Sequence, residues 1–392
     1  MERMKKAGVN ARGRVEYYLN TADAWAAFED IVLDARAEVV AVFDQFDAAA
    51  PVQVARAGHD PAGRDWGWLL AQTLMRGVNL TITLGDAPGA EVLHSHIQAA
   101  LHAARRCGTL TVTAQAHPAR RGSRSFGNFT QFPAGHRLNL AVADGKALFL
   151  ARDGLTAAAV LTPWHDLAMI ARGPVVTEAS ALLSGFAAIT AGDAEPGPAR
   201  RLLRTLSRPA HGMRRMFGAQ TVANEVESAH HMLIRRAERM IYIETQIFDS
   251  PPMARHLALR AKSAPGLNMV LIVPPRDAVS ASERRCLLLL TEAFGPRLFI
   301  GLAAGGVADV SIFDGQTAIA GSADLNCRAL GYDTHAAIYL RQADGVGILR
   351  DRLARRWLGL VPDGDDAAQW RAAADLNLST DRSGAGVLLP LI

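Results

Sequence analysis

Strand-like AEVVAVFDQF from Ala37 leads into WGWLLAQTLMRG from Trp66, whose apolar residues recur at helical spacing, and then into VNLTITLGD, which alternates apolar and polar positions. A helix around HSHIQAALHAARRCG, a strand TLTVTAQA, a hairpin HRLNLAVADGKALFLA and the segment WHDLAMIARGP before a further helix complete this first series. The same order then recurs. Helix VANEVESAHHMLIRRAERM precedes the strand IYIETQIF (Ile241 to Phe248), and SPPMARHLALRAKSAPG opens on Ser and two prolines and stops at Gly266, the usual helix punctuation. LNMVLIVPP, the helix ASERRCLLLLTEAFG, LFIGLA, a second hairpin, THAAIYLR and a closing helix GILRDRLARRWLGL follow.

Strands separated by helices predict mixed or largely parallel sheets with helices outside them. The expected class is therefore α/β, with two pseudo-symmetric halves, each a mixed sheet flanked by helices. Residues 1–195 and 221–362 are the expected halves, 196–220 a basic Pro/Gly-rich linker and 363–392 a C-terminal tail. The linker carries Arg200, Arg201, Arg204, Arg208, Arg214 and Arg215, and no acidic residue occurs from Pro196 to Asn224. It reads either as a solvated connector or as a patch for anionic phospholipid or a membrane surface. Arg120, Arg121 and Arg124, with Phe126 and Phe129 interleaved, read as a surface loop or a nucleic-acid contact.

Composition narrows this little. A chain of 392 residues, 49% hydrophobic and 20% charged, is long enough for two compact units and is not globally disordered. A net charge of +4 suits anionic partners without requiring them. Cys107, Cys286 and Cys327 are scattered, which argues against a disulfide framework and for a reducing compartment. The charged N-terminus lacks an apolar core and no run approaches about 18 apolar residues, so a cytoplasmic protein without a transmembrane helix is expected, peripheral to a membrane if the linker binds lipid.

The stretch SIFDGQTAIAGSADLNCRALGYDTHAAIYL, from Ser311 to Leu340, resembles the core of the second motif of the phospholipase D superfamily, HxKxxxxDxxxxxxGSxN. Anchored on Gly321 and Ser322, the family aspartate is Asp314, while Val307 takes the histidine position, Asp309 the lysine and Asp324 the asparagine. GHRLNLAVADGKALFLARDG is similar to the first motif, with Asp144 as the aspartate, Arg137 at the histidine position, Asn139 at the lysine, and Ala151 and Arg152 at the Gly-Ser pair. His136 lies one residue from the histidine position, but adjacent strand residues face opposite ways. IYIETQIF resembles the YIENQYF-type strand of bacterial phospholipase D and cardiolipin synthase-like proteins, keeping Glu244 and Gln246 with Thr245 for the asparagine, and PWHDLAMIARGPVV resembles their PWHD segment. The resemblance extends over most of residues 20 to 360.

Active members of that family use one histidine as nucleophile, another as general acid, and two lysines to hold the phosphate. Val307 has no atom able to attack or protonate. Arg137 keeps its charge and cannot exchange protons usefully. A carboxylate such as Asp309, about 4 Å from a phosphate, turns an attraction of about 4 kcal/mol into a repulsion of similar size. One positive and one negative replacement lead us to expect an Arg137–Asp309 ion pair in the former phosphate site. His165 and Asp166 read as packing and hydrogen-bonding residues. His335 stands where the family often has Glu and is a candidate for a relocated catalytic role. The spacing of Glu244, Asp309, Asp314 and Asp324 matches no metal pattern, so neither metal nor cofactor is expected.

Three functions follow from the resemblance: a catalytically inactive protein that binds a partner, a membrane surface or an anionic ligand, alone or beside an active relative; an active phospholipase or phosphatidyltransferase using His335 or His136; or a nucleic-acid binder of the nuclease branch.

Overall fold

A computed structural model describes residues 15–56, 60–101, 108–119, 134–210, 219–361, 364, 366–379 and 388–391, together with the backbone of a short hairpin, Arg124–Phe126 with Phe129–Gln131. Cys107, Arg120, Arg121, Arg214 and Arg215, and the side chains of Arg124, Phe126 and Phe129, lie outside the described residues.

Two mixed sheets repeat one another. In the first, Glu38–Phe43, Asn79–Leu84 and Leu110–Ala114 run parallel, and Glu38–Phe43 also pairs antiparallel with Asn139–Ala143. The hairpin to Ala147–Ala151, then Ala168–Ala171 and finally Val15–Tyr18 extend the sheet antiparallel. In the second, Met240–Glu244, Asn268–Val273 and Leu298–Ala303 are the parallel strands, and Val310–Phe313, Thr317–Gly321, His335–Arg341 and Leu202–Pro209 extend it in the same antiparallel order. The second sheet gains Ala219–Asn224 at one edge and Leu388–Pro390 at the other.

Alternation along each strand divides its side chains between two cores. Leu140, Val142, Leu148 and Leu150 face a central core that also receives Val310, Ile312, Ala318, Ile338 and Leu340 from the other sheet. Helices Pro174–Ala191 and Val346–Leu358 contribute to this shared layer. Ala141, Ala143 and Phe149 face an outer core beneath helices Thr21–Asp34, Trp66–Met75 and Ala87–Ala100. Ile241, Ile243, Met269 and Leu271 do likewise beneath helices Glu225–Arg236, Pro251–Ser263 and Ala281–Phe294.

The segment expected as a linker is not a free connector. Leu202–Pro209 is a strand of the second sheet, and Val222–Asn224, expected at the start of a helix, belongs to the edge strand beside it. Three of its arginines are engaged: Arg204 is buried against Glu225, Arg201 bonds Asp344, and Arg208 bonds Glu195. Each acidic partner lies outside the basic run. The C-terminal stretch packs on the second half through helix Ala367–Ser379 and the strand Leu388–Pro390. Among the described residues one helix, Pro174–Ala191, is long and apolar enough to cross a membrane, a segment the sequence reading passed over. Its Val175, Val176, Leu182, Leu183, Phe186 and Ile189 are buried in the shared core. Cys286 is buried and Cys327 exposed, both free.

Candidate functional site

The two retained aspartates are structural twins. Asp144 and Asp314 each sit at positive φ in the hairpin turn, 51° and 53°. Asp144 accepts the backbone N–H groups of Arg36, Ala37 and Glu38, and Asp314 those of Glu238, Arg239 and Met240. Each carboxylate thus ties its turn to the start of the neighbouring parallel strand. Backbone donors outweigh the cost of burial and hold Asp144 below the usual carboxylate range.

At the other end of these hairpins lie the positions where the resemblance places the chemistry. Asn139 and Asp309 occupy equivalent places, and their Oδ1 atoms accept from equivalent backbone amides, Asp44 N at 3.1 Å and Gln246 N at 3.3 Å. Asn139 Nδ2 donates to Arg152 O at 2.7 Å. Val307 is wholly buried in the shared core. Arg137 is more than half exposed and its Nη1 bonds Asp44 Oδ2 at 2.9 Å.

The expected Arg137–Asp309 pair does not form. The guanidinium facing Asp309 belongs to Arg152, with Nε 3.8 Å from Asp309 Oδ2. Asp309 is buried, whereas Arg137 lies at the rim, where Asp44 on the neighbouring chain segment takes its charge.

Arg152 is the central charge of the cleft. Its Nη2 bonds Asp153 Oδ2 at 2.6 Å and its Nε bonds Asp166 Oδ1 at 3.1 Å. The Gln246 amide, oriented with its oxygen toward Arg152, accepts from Nη1 at 2.9 Å and Nη2 at 3.2 Å. Burial disfavours the guanidinium charge, but Asp166, Asp153, Asp309 and Asp324 outweigh it and raise the group further. The acids respond in the opposite sense. Burial and then Asp324 push Asp309 well above its usual range, Asp324 is raised by its burial, and burial with the adjacent Asp166 lifts Asp153 to about 6. Asp309 and Asp324 lie near enough that each bears on the other's ionisation, and two such carboxyls cannot both ionise cheaply. Arg276, another cation near Asp324, is hydrogen-bonded to Glu283.

Below this cluster Glu244 is fully buried. His165 Nε2 at 2.9 Å and Ala308 N at 3.0 Å donate to its Oε2, and Trp357 Nε1 at 2.8 Å and the Tyr242 hydroxyl to its Oε1. His165 Nδ1 lies 3.0 Å from Leu19 O, so both ring nitrogens face acceptors. Burial alone would raise Glu244, yet His165, Tyr242 and Trp357 together hold it below the usual range. Asp166 accepts from Leu167 N at 2.7 Å as well as from Arg152.

His335 is buried with Nδ1 3.1 Å from Ser322 Oγ, and burial pushes it down to about 4, a neutral imidazole at neutral pH. His136 is buried too, Nδ1 3.0 Å from Thr334 Oγ1 and its ring against His117 and Phe186, with burial and then His117 pushing it down to about 3. Among the described residues no three or more His, Cys, Asp or Glu side chains converge to hold a metal ion. The structure therefore gathers Asp309, Asp324, Glu244 and Gln246 with Asp166 and leaves Arg137, Asp144 and Asp314 apart. Arg152 as cleft cation and Asp153 as its partner were missed from sequence. The readable signal was Arg152 at the serine position of one motif, followed by Asp153, opposite the acids Asp309 and Asp324 in the other.

No model of a protein family matches the sequence, and no curated protein does. Among solved structures, phosphatidylserine synthase from Haemophilus influenzae Rd KW20 aligns with 96% of this chain and 87% of its own, with a TM-score of 0.53 at 11% identity. The chain shares its fold with that phosphatidylserine synthase. Polyphosphate kinase from Porphyromonas gingivalis aligns with 84% of the chain at 14% identity and a TM-score of 0.48, and this chain spans 44% of that protein's length. Nuc from Salmonella typhimurium, a phospholipase D family member, aligns with 32% of the chain and 82% of its own at 13% identity and a TM-score of 0.29. Within this fold, a uniform shift along the sequence carries Asn139 onto Asp309, Asp144 onto Asp314, Arg152 onto Ser322 and His165 onto His335.

Proposed function

We propose that this is a catalytically silent phospholipase D-like protein that acts by binding rather than by turnover. One observation carries the reading: the Arg152 guanidinium occupies the cleft and is held by Asp153, Asp166, Asp309 and Gln246. A cleft in which four aspartates surround one arginine repels a phosphodiester, and no histidine or lysine stands at the four reacting positions. Binding then falls to the outer surfaces and to a protein partner, since Arg201, Arg204 and Arg208 are already neutralised by acids of this chain.

The competing reading, an active lipid phosphodiesterase, has its support in His335, whose neutral ring could attack phosphorus. Incubation with bis(p-nitrophenyl) phosphate and with phosphatidylglycerol vesicles separates them. Neither turnover nor a phosphorylated adduct by intact-protein mass is expected. Turnover lost in His335→Ala would establish the enzyme instead.

A further inference from the structure

On the outer side of the second half, the neighbouring helices Glu225–Arg236 and Pro251–Ser263 bring two imidazoles together. His231 Nδ1 and His256 Nδ1 stand 2.6 Å apart, with ring centroids 4.8 Å apart and planes inclined by 34°. Both side chains are partly exposed. One helical turn before His231, Glu227 places Oε1 3.7 Å from the opposite ring nitrogen, Nε2. A carboxylate there favours the tautomer with its proton on Nε2 and so leaves a lone pair on Nδ1. His256 Nδ1 faces that position from the neighbouring helix. If its proton sits on Nε2, a second lone pair points at the same place. Two lone pairs that close repel unless a cation lies between them, and the candidates are a proton or a metal.

We propose that His231 and His256 form a two-imidazole site for a divalent transition metal of the zinc, nickel and copper class, with Glu227 orienting His231 and water completing the coordination. Imidazole is a preferred ligand for these borderline ions. Nitrogens at about 2.0–2.1 Å from a tetrahedral zinc lie about 3.3 Å apart, so the rings need to part by less than about 1 Å, which side-chain rotation on two helix surfaces allows. With two protein ligands the affinity is micromolar rather than nanomolar. Bound metal pins the two helices together, and the site is independent of the cleft and of the function proposed for it.

The test is calorimetric titration of the tag-free chain with zinc chloride at pH 7.5, with nickel chloride as a second probe. One equivalent is expected to bind, at least tenfold more weakly in His231→Gln and in His256→Gln. Glu227→Gln should weaken binding by about tenfold, and the exposed His94→Gln should bind as the parent does. Unchanged thermal midpoints in the metal-free variants show that folding is intact. Absence of binding up to 1 mM metal, or binding that survives His256→Gln, overturns the site.

Discussion

Asp144 and Asp314 hold equivalent structural posts, one in each hairpin turn. Each satisfies three backbone N–H groups that would otherwise go unpaired at the start of a parallel strand. Asp314→Ala should cost about 1–3 kcal/mol by denaturant unfolding, and Asp314→Asn less, since Asn tolerates positive φ and keeps one acceptor. Asp309 answers to pH in the opposite way from most carboxylates. A carboxyl raised in the folded state contributes stability at acid pH and loses it as pH climbs above its usual 3.8, a window that reaches about 6 for Asp153, and Asp309 shifts in the same direction. The buried His230 and His335, both lowered to about 4, act against this, losing stability as pH falls below 6.5. Substitution isolates the carboxyl: Asp309→Asn should raise the thermal midpoint more at pH 8 than at pH 5. A larger loss at pH 8 would mean that Asp309 is ionised and needed by Arg152. The motif alignment made Asp309 and Asp324 legible as cleft residues. It could not show that Arg152, rather than Arg137, would meet them, because that depends on which side chain turns inward at the strand end.

At the scale of the elements, Gly321 is kept for the approach of two strands. A Cβ there would meet Ala336 O at 2.2 Å and Ala337 Cα at 2.4 Å, both backbone atoms that cannot swing aside. The equivalent place in the first half is Ala151, where the spacing admits a methyl. Gly321→Ala should therefore destabilise by about 1–3 kcal/mol, measurable as a lowered urea midpoint. Strand and helix periodicity revealed most elements because alternating residues serve two cores. The strand Leu202–Pro209 was hidden for a definite reason. The arginines there suggested a solvated run, while the acids that neutralise Arg201, Arg204 and Arg208 stand outside it, Glu195 and Glu225 just past its two ends and Asp344 far along the chain.

Across the whole molecule, Glu244 links the halves. It belongs to the second sheet, its partner His165 to the first, and His165 reaches Leu19 near the N-terminal strand. Removing one member of a fully buried pair strands the other, so Glu244→Ala should cost about 3–5 kcal/mol. The double variant Glu244→Ala with His165→Ala should cost clearly less than the sum of the single ones in a calorimetric cycle. Tyr17 strengthens the same junction: its hydroxyl donates to Asp344 O at 2.7 Å, and its own carbonyl accepts from Arg352.

The apolar layer between the sheets has a practical consequence. Leu140, Val142 and Leu150 share one apolar cluster with Val310, Ile338 and Leu340 of the other lobe, and helix Pro174–Ala191 packs in the same layer. A chain severed in the stretch after Pro196 would yield two fragments, each with part of that greasy wall uncovered. Such pieces would survive in water only by finding each other again, which makes this polypeptide a natural split reporter.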